Sequence, residues 1–376
     1  MTSPVPGRRA GAILVVNAGS SSLKLRVLDG DDRVIEHVDL PAIKDADDVD
    51  AIRALLDRHP SVGAVGHRVV HGGAVFREST LVTDEVVERL RGVSDLAPLH
   101  NPSALAGLEA MRAAAPDLPN LVCFDTAFHA TLRPEAATYA IPGRWTEEWG
   151  IRRYGFHGLS HAYVARRVPE LLGRTAVGLR IVSCHLGAGA SLCAIEDGRS
   201  VDTTMGFTPL EGLVMATRSG SLDPGIIVHV QRHHGLGIAE VERALDEDSG
   251  LRGLAGGSGD MRQVEHAIDA GDAQAALAFD VYVHRLCAGI AAMAASLGGI
   301  DAVAFTGGVG EGSARVRSEA AKRLTFLGLS VDDRRNGETG EDDRVLSPDD
   351  AAVPALLVHA REDLEITREV RRVLSR

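Results

Sequence analysis

The chain carries one strand–turn–strand pattern twice, which limits it to a fold with two similar halves. The first copy is Ile13-Leu-Val-Val-Asn-Ala-Gly-Ser-Ser-Ser-Leu-Lys-Leu-Arg-Val-Leu-Asp-Gly30. The second is Ile181-Val-Ser-Cys-His-Leu-Gly-Ala-Gly-Ala-Ser-Leu-Cys-Ala-Ile-Glu-Asp-Gly198. Each runs from an apolar, β-branched stretch through a Gly/Ser turn into a second apolar stretch and an Asp-Gly turn. These are hairpin signals. Gly19 and Gly30 are eleven residues apart, as are Gly187 and Gly198, and a third strand candidate follows each copy, Arg33–Leu40 and Arg199–Thr204. Two such meanders about 170 residues apart predict a duplicated domain with facing polar turns and a nucleotide cleft between the halves.

The length of 376 residues suits two domains, each able to bury a core. A net charge of −12 argues against nucleic acid or an anionic membrane as partner. It also means that anionic substrates would need local positive charge. With lysine only at 24, 44 and 322, arginine and histidine must supply most of it. Cys123, Cys184, Cys193 and Cys287 show no CxxC spacing and predict free thiols in a cytoplasmic protein. The longest apolar run, Leu286–Leu297, is too short to cross a bilayer.

Along the first half, the pattern predicts a helix over Asp48–His59, a strand over Val62–His71 and a helix over Asp84–Arg91. A further helix is opened by Asn101 as cap with Pro102 after it, and a buried strand over Leu121–Asp125 carries Asp125, Thr126 and His129 at its end. A Gly- and aromatic-rich connector, Tyr139–His161, leads to the second meander. Asp202–Gly225 then reads as a long loop, which inside a compact domain is usually functional. An Ala-rich helix over Asp272–Leu297, a strand with a Gly-rich turn over Asp301–Glu311, a helix from Ser313, a strand over Ala355–His359 and a charged helix over Asp363–Leu374 complete an α/β pattern.

No Gly-x-x-x-x-Gly-Lys-Ser/Thr exists, and the lysine positions forbid one, so a P-loop is excluded. Ser21-Ser-Leu-Lys24 matches Ser-x-x-Lys without the partner motifs that chemistry needs. The pairs His67/His71 and His157/His161 stand four apart, with no His-Glu-x-x-His, and give weak support to a zinc site. Three Gly/Ser turns, Asn17–Ser22, His185–Ser191 and Thr306–Ser313, each follow an apolar strand. Any one is more often a plain turn, but three together point to anion nests for a nucleotide's phosphates. In Gly66-His-Arg-Val-Val-His-Gly-Gly73, strand alternation puts Arg68 and Val70 on one face, a cation beside a small apolar group, which suits a short carboxylate.

These motifs, with Pro98-Leu-His-Asn-Pro102, Phe124-Asp-Thr-Ala-Phe-His129, Tyr154-Gly-Phe-His-Gly-Leu-Ser-His161, Met205-Gly-Phe-Thr-Pro-Leu-Glu-Gly212, Thr217-Arg-Ser-Gly220 and Phe305-Thr-Gly-Gly-Val-Gly-Glu311, resemble the acetate kinases. That family belongs with sugar kinases, actin and heat-shock ATPases. The resemblance spans almost the whole chain. It implies a duplicated actin-like, ribonuclease H-like fold with an N-terminal lobe of residues 1–128 plus 362–376 and a nucleotide-binding lobe of 129–361. It further implies reversible in-line phosphoryl transfer from Mg-ATP (Mn2+ as the alternative ion) to acetate, in a homodimer whose domains close on the substrates.

By the same resemblance, Asp125, His157 and Arg218 are catalytic. Arg68 holds the carboxylate, and Val70, Leu99, Phe156 and Pro209 form the methyl pocket. Asn17 and Glu362 are the metal-linked pair. Lys24, His185, Leu186, Gly187, Ala188, Gly189, Asp260, Met261, Arg262, Gly308, Val309, Gly310, Glu311 and Gly312 fall where the family binds nucleotide. The chain departs from the family at Ala188 and Gly312, usually Asn, and at Met261, commonly aromatic; all three lie on the nucleotide side. A propionate or other short-chain acyl kinase is the alternative within the class, and a non-catalytic actin-like nucleotide-binding protein the alternative outside it.

Overall fold

The computed structural model describes residues 11–19, 22–42, 46–97 and 100–376. It divides into two compact units. The first comprises Met1–Ala130, His157–Leu159 and Arg361–Arg376, and the second Thr131–Phe156 and Ser160–Ala360.

The first unit is built on a six-stranded sheet of β1 (Ala12–Ala18), β2 (Ser22–Leu28), β3 (Val34–Pro41), β4 (Val62–Val69), β5 (Thr80–Leu81) and β6 (Asn120–Phe124), in the order β3-β2-β1-β4-β6-β5. β1, β2 and β3 form an antiparallel meander, while β1, β4 and β6 run parallel. The unbroken apolar run of β1 reflects burial on both faces. Leu14 and Val16 pack with Ile52, Leu55 and Met111 on one side; Ile13 and Val15 pack with Leu159, Ile366 and Val370 on the other. Ile366 and Val370 belong to the helix Glu362–Leu374, and Gly66 on β4 is what lets that helix come close. A Cβ at Gly66 would fall 2.5 Å from Ile366 Cγ2 and 2.8 Å from Val370 Cγ2.

The second unit repeats the plan. β7 (Arg180–Leu186), β8 (Ala190–Glu196) and β9 (Arg199–Thr203) form its meander, joined by β10 (Ala302–Thr306), β11 (Leu329–Ser330), β12 (Arg344–Val345) and β13 (Val353–Leu357). The order β9-β8-β7-β10-β13-β11, with β12 on β13, matches the first sheet from its meander outwards. The predicted duplication and its actin-like, ribonuclease H-like strand order are therefore present.

Several expectations need correction. β4 stops at Val69, so alternation no longer fixes which way Val70 points. Asn101 is the first helical residue and His100 the cap. Asn101 instead clamps the backbone of His71, accepting from its N–H at 3.1 Å and donating to its C=O at 2.9 Å. The Gly-rich stretch after β10 is a short helix, Gly307–Gly312. The apolar run Leu286–Leu297 lies mostly in a helix twice its length, Ala273–Ser296, the one helix among the described residues long and apolar enough to cross a membrane. Ten of its residues, Phe279, Tyr282 and Ile290 among them, are buried inside the second unit, which accounts for its composition as a core helix.

Three of the four paired histidines have hydrogen-bond partners within the protein. His161 bonds Ser183 and Ser191 at 2.8 Å each, and His71 Nδ1 accepts from Gly73 N–H at 2.8 Å. His67 bonds Asn120 at 2.8 Å while its Nδ1 has no partner among the described residues, and burial lowers its pKa to about 4. An unfolded histidine titrates near 6.5, so on acidification the unfolded chain takes the proton first. The stability due to neutral His67 is present above that pH and lost as pH falls towards about 4, to a limit of about 3 kcal/mol. Urea unfolding of wild type and His67→Gln at pH 7 and 4.5 checks this. Parallel losses in the two proteins would acquit His67.

Candidate active site

In a parallel sheet the carboxyl ends of the strands form one edge, where ligands of open α/β sheets bind. Asn17 stands near that end of β1, Arg68 near that end of β4, and Asp125 directly after β6, its N–H bonded to Val69 C=O at 3.0 Å. Arg68 gathers the group. Its Nε and Nη2 donate to the two oxygens of Asp125 at 3.1 and 2.6 Å, and Nη1 reaches Asn17 Oδ1 at 3.4 Å. Glu362, first residue of the terminal helix, lies 3.3 Å from Arg68 Nε. Arg68 thus meets two carboxylates, and the cluster carries a net negative charge.

Asp125 is 1% exposed. Burial pushes its carboxyl up to about 6, with Arg68 opposing and Glu362 adding to the rise. The guanidinium of Arg68 is held above its ordinary value: the attraction of Asp125 and Glu362 outweighs a desolvation cost that alone would lower it. The oxygens of Asn17, Asp125 and Glu362 are hard donors in too small a number for an all-protein cage. That count fits a divalent ion shared with substrate phosphates, as Mg2+ commonly is. Lys24 on β2 is exposed and sits opposite Asn17 in the β1–β2 register.

His157 belongs to the same unit and is one of three non-glycine residues with positive φ, at +56° among the described residues. Such a conformation survives only where neighbours impose it. Here Gly158 N–H donates to Asp125 C=O at 2.9 Å, and a Cβ on Gly158 would lie 2.0 Å from that oxygen. The backbones of the two candidate catalytic residues are thereby locked together. Val70 is half-buried just past β4, and Leu99 lies outside the described residues, as do Ser20 and Ser21 of the first Gly/Ser turn.

The second unit gathers most of the remaining candidates. The turn Gly187–Gly189 closes with Gly187 N–H on Gly189 C=O at 2.9 Å, at the carboxyl end of β7. The adjacent parallel strand β10 is followed directly by Gly307, whose φ of +77° and close approach to Leu186 require glycine. Ala188, Gly308 and Gly312 are exposed at the tips of these turns. Leu186 and Gly310 are buried and Val309 is half-buried. His185 is tied to Ser160 at 2.8 Å. Glu311 is a clamp: one carboxylate oxygen accepts from the N–H of Gly307 and of Ala360, each at 2.9 Å.

Arg317 was invisible as a site residue. It is 2% exposed, donates from Nη1 to the carbonyls of Gly310 and Glu311 at 2.8 Å, and binds Asn336 with Nε and Nη2. It holds the carbonyl end of the glycine helix, and nothing in the spacing of Arg317 announces this.

The loop between β9 and the helix Pro224–His234 carries Pro209 and Arg218 and is firmly tied. Ala216 N–H donates to Ala188 C=O at 3.0 Å, joining the arginine segment to the first turn. Gly250 and Gly259 press against it: their Cβ atoms would lie 2.3 Å from Met215 O and 2.2 Å from Ala216 O. Asp260 and Arg262 pair with each other across a helix start at 2.6 Å, and Met261 is buried. Arg218 Nη1 donates to Pro209 C=O at 3.0 Å, while Nε and Nη2 have no acceptor among the described residues. Burial lowers its pKa, opposed by Asp246, so this guanidinium is short of negative charge. Phe156 is buried and Pro209 half-buried in this unit.

A family model described as the Acetokinase family matches residues 42–368. The acetate kinase of Nostoc punctiforme is 47% identical over 320 residues, which cover 85% of this chain and 78% of that protein. Among solved structures, the acetate kinase of Porphyromonas gingivalis superposes with a TM-score of 0.90 at 34% identity, covering 97% of this chain and 100% of the other. A propionate kinase from Francisella tularensis gives 0.88 at 33%, covering 96% and 98%.

Proposed function

The chain belongs to the acetokinase family, and on that footing we propose which of its residues move a phosphoryl group from ATP to acetate. The activity is that of an acetate kinase, a phosphotransferase with a carboxyl acceptor, giving acetyl phosphate and ADP. Such chemistry leaves little covalent work to the protein. Acetate, a carboxylate whose acid has a pKa of about 4–5, is already ionised at neutral pH and needs no general base. One carboxylate oxygen forms the new bond to the γ-phosphorus while the bond to the β–γ bridging oxygen breaks, its electron pair leaving on ADP. No proton changes hands. The obstacle is repulsion between two anions, so positioning and charge carry the catalysis.

The observation that carries the residue assignment is the Arg68 cluster. Asp125 takes the Nε–Nη2 edge of the guanidinium, and among the described residues only the long contact to Asn17 engages Nη1. Donor capacity therefore remains for a substrate carboxylate, and Asp125 orients the arginine that would hold it. Asn17, Asp125 and Glu362 would hold Mg2+, which when bound neutralises phosphate charge. His157, with its backbone fixed on Asp125, would donate to the transferring phosphoryl, and Arg218 offers it two uncommitted nitrogens. Lys24, the turns at His185–Gly189 and Gly308–Gly312, and Asp260–Arg262 would serve the nucleotide. The first unit is accordingly the acetate lobe and the second the nucleotide lobe. The four cysteines are free and buried, which supports a cytoplasmic setting.

Trapping the acyl phosphate as its hydroxamate, with acetate, propionate and butyrate compared, tests the assignment. Likeness to a propionate kinase keeps the longer acid in view. Val70→Ala should shift preference towards propionate, since one methylene in a pocket is worth roughly 1–3 kcal/mol. Unchanged acyl selectivity would take Val70 out of the pocket.

A homodimer is supported by the helix Pro224–His234, which has no buried residue yet carries Ile226 and Val228 about half exposed, followed by Ile238 at 79%. A second copy would cover them. Sedimentation should find a dimer that Ile226→Glu/Val228→Glu splits. A monomeric wild type would refute the assembly, and a dimer indifferent to the change would place its interface elsewhere.

A further inference from the structure

We propose that Tyr139, Arg153 and Glu211 form a positioning clasp that fixes the segment 204–211 and, through the Pro209 carbonyl, aims the guanidinium of Arg218. The proposal rests on the assignment of Arg218 to the transferring phosphoryl group. All the residues involved lie in the second unit.

The clasp side chains hold Thr204, Met205 and Phe207, and the backbone beside Arg153 holds Gly206 between them. Arg153 Nη1 donates to the carbonyls of Thr204 and Met205 at 3.0 and 3.1 Å, and its Nη2 donates to Glu211 Oε1 at 2.7 Å. The same guanidinium lies 5.4 Å from the centre of the Tyr139 ring. Tyr139 Oη donates to Glu211 Oε2 and accepts from Phe207 N–H at 2.9 Å. Gly206 C=O accepts from Tyr154 and Gly155 at 3.0 and 3.3 Å. The side chains converge so tightly over Gly206 that a Cβ there would lie 1.8 Å from Glu211 Oε2 and 2.0 Å from Tyr139 Oη. Burial and the neighbouring Glu211 raise the pKa of Tyr139, which keeps its hydroxyl a donor.

Pro209 follows two residues after this fixed stretch, and its carbonyl is the one oxygen acceptor of Arg218 among the described residues; the other contact is Met215 Sδ at 3.8 Å. The far end of the loop is anchored independently. Ala216 bonds Ala188, Ser219 N–H bonds Leu245 C=O at 3.0 Å, and Ser249 N–H bonds Thr217 C=O at 2.9 Å. Loosening the clasp therefore leaves the Arg218 backbone in place and frees only its side-chain direction. Misalignment of that size is enough to slow a reaction that depends on positioning.

The test is steady-state kinetics on full-length Tyr139→Phe and Arg153→Met, with Arg153→Lys as the conservative variant. Turnover should fall about tenfold, with KM for ATP and the urea midpoint unchanged. Arg153→Lys should recover part of the turnover lost in Arg153→Met. Tyr139→Phe/Arg218→Ala should be no slower than Arg218→Ala alone, because the clasp acts only through that arginine. Full turnover in the single variants overturns the proposal, as does a loss matched by unfolding or one that multiplies with Arg218→Ala. An active Tyr139→Phe beside an inactive Arg218→Ala removes the clasp alone, whereas an active Arg218→Ala removes both it and the assignment beneath it.

Discussion

Arg218→Ala should give a folded protein that has lost at least about 10^3 in turnover, the scale of a catalytic arginine in phosphoryl transfer. The fold should survive because the surrounding backbone is held by Ala188, Leu245 and Ser249, none of which depends on the Arg218 side chain. The activity should not, because the lost group is a largely desolvated cation with two nitrogens uncommitted among the described residues. Lysine should be a poor substitute, since it brings a point charge without a planar fork. Rapid-quench measurement of acetyl phosphate formation separates chemistry from product release. A loss of less than tenfold in the chemical step would remove Arg218 from the reaction.

Arg68→Ala should be costly in a different way. It leaves Asp125, 1% exposed, facing Glu362 without a cation between them. Breaking a buried pair on one side costs about 3–5 kcal/mol. The pH dependence distinguishes this from simple loss of packing. Burial already places the Asp125 carboxyl at about 6, above its unfolded value, and removing Arg68 raises it further. The native state then binds a proton that the unfolded chain does not, so stability is lower above the folded pKa and recovers as pH falls through it. Denaturant midpoints of Arg68→Ala, taken relative to wild type at each pH to cancel the opposite trend of His67, should converge on acidification. Arg68→Ala/Asp125→Asn should recover much of the loss at neutral pH. A constant gap between Arg68→Ala and wild type across pH 5 to 8 would mean that the two charges are not coupled.

How much of this was legible depends on whether the causes are local. The two meanders were, because β-branched runs and Asp-Gly turns act within a few residues, and their repetition marks the duplication. The helix start at Ser313 was as well: its hydroxyl accepts from Val316 N–H at 2.9 Å, three residues on. Gly307–Gly312 reads as a turn because four of its six residues are glycine, and glycine disfavours helix. What makes it helical is remote: Glu311 bridges to Ala360 and Arg317 grips its last carbonyls. Asn101 followed by Pro102 carries a cap signature, but tertiary contact with His71 recruited the side chain instead. The helix Pro224–His234 escaped notice for a related reason, since a helix with no buried face leaves no core periodicity to detect.

The site followed the same rule. Strand ends and glycine turns can be inferred from sequence, so Asn17, Arg68, Asp125 and the turn at Gly187 could be placed, while the roles of Asn17 and Asp125 came from the family resemblance. The supports of the long loop could not, because Tyr139, Arg153 and Glu211 meet across some seventy positions of chain with no spacing rule to join them.

Because one face of the first sheet is covered by the helix Glu362–Leu374, completion of the first unit has a built-in delay. A ribosome makes β1 to β6 early, then the whole of the second sheet, and only afterwards Glu362, Ile366 and Val370. Until then the hydrophobic face of Ile13 and Val15 lacks its cover and Arg68 lacks one of its two anionic neighbours. Any nascent or prematurely terminated polypeptide short of residue 361 thus holds every strand of the second unit, while the unit begun first is still unfinished.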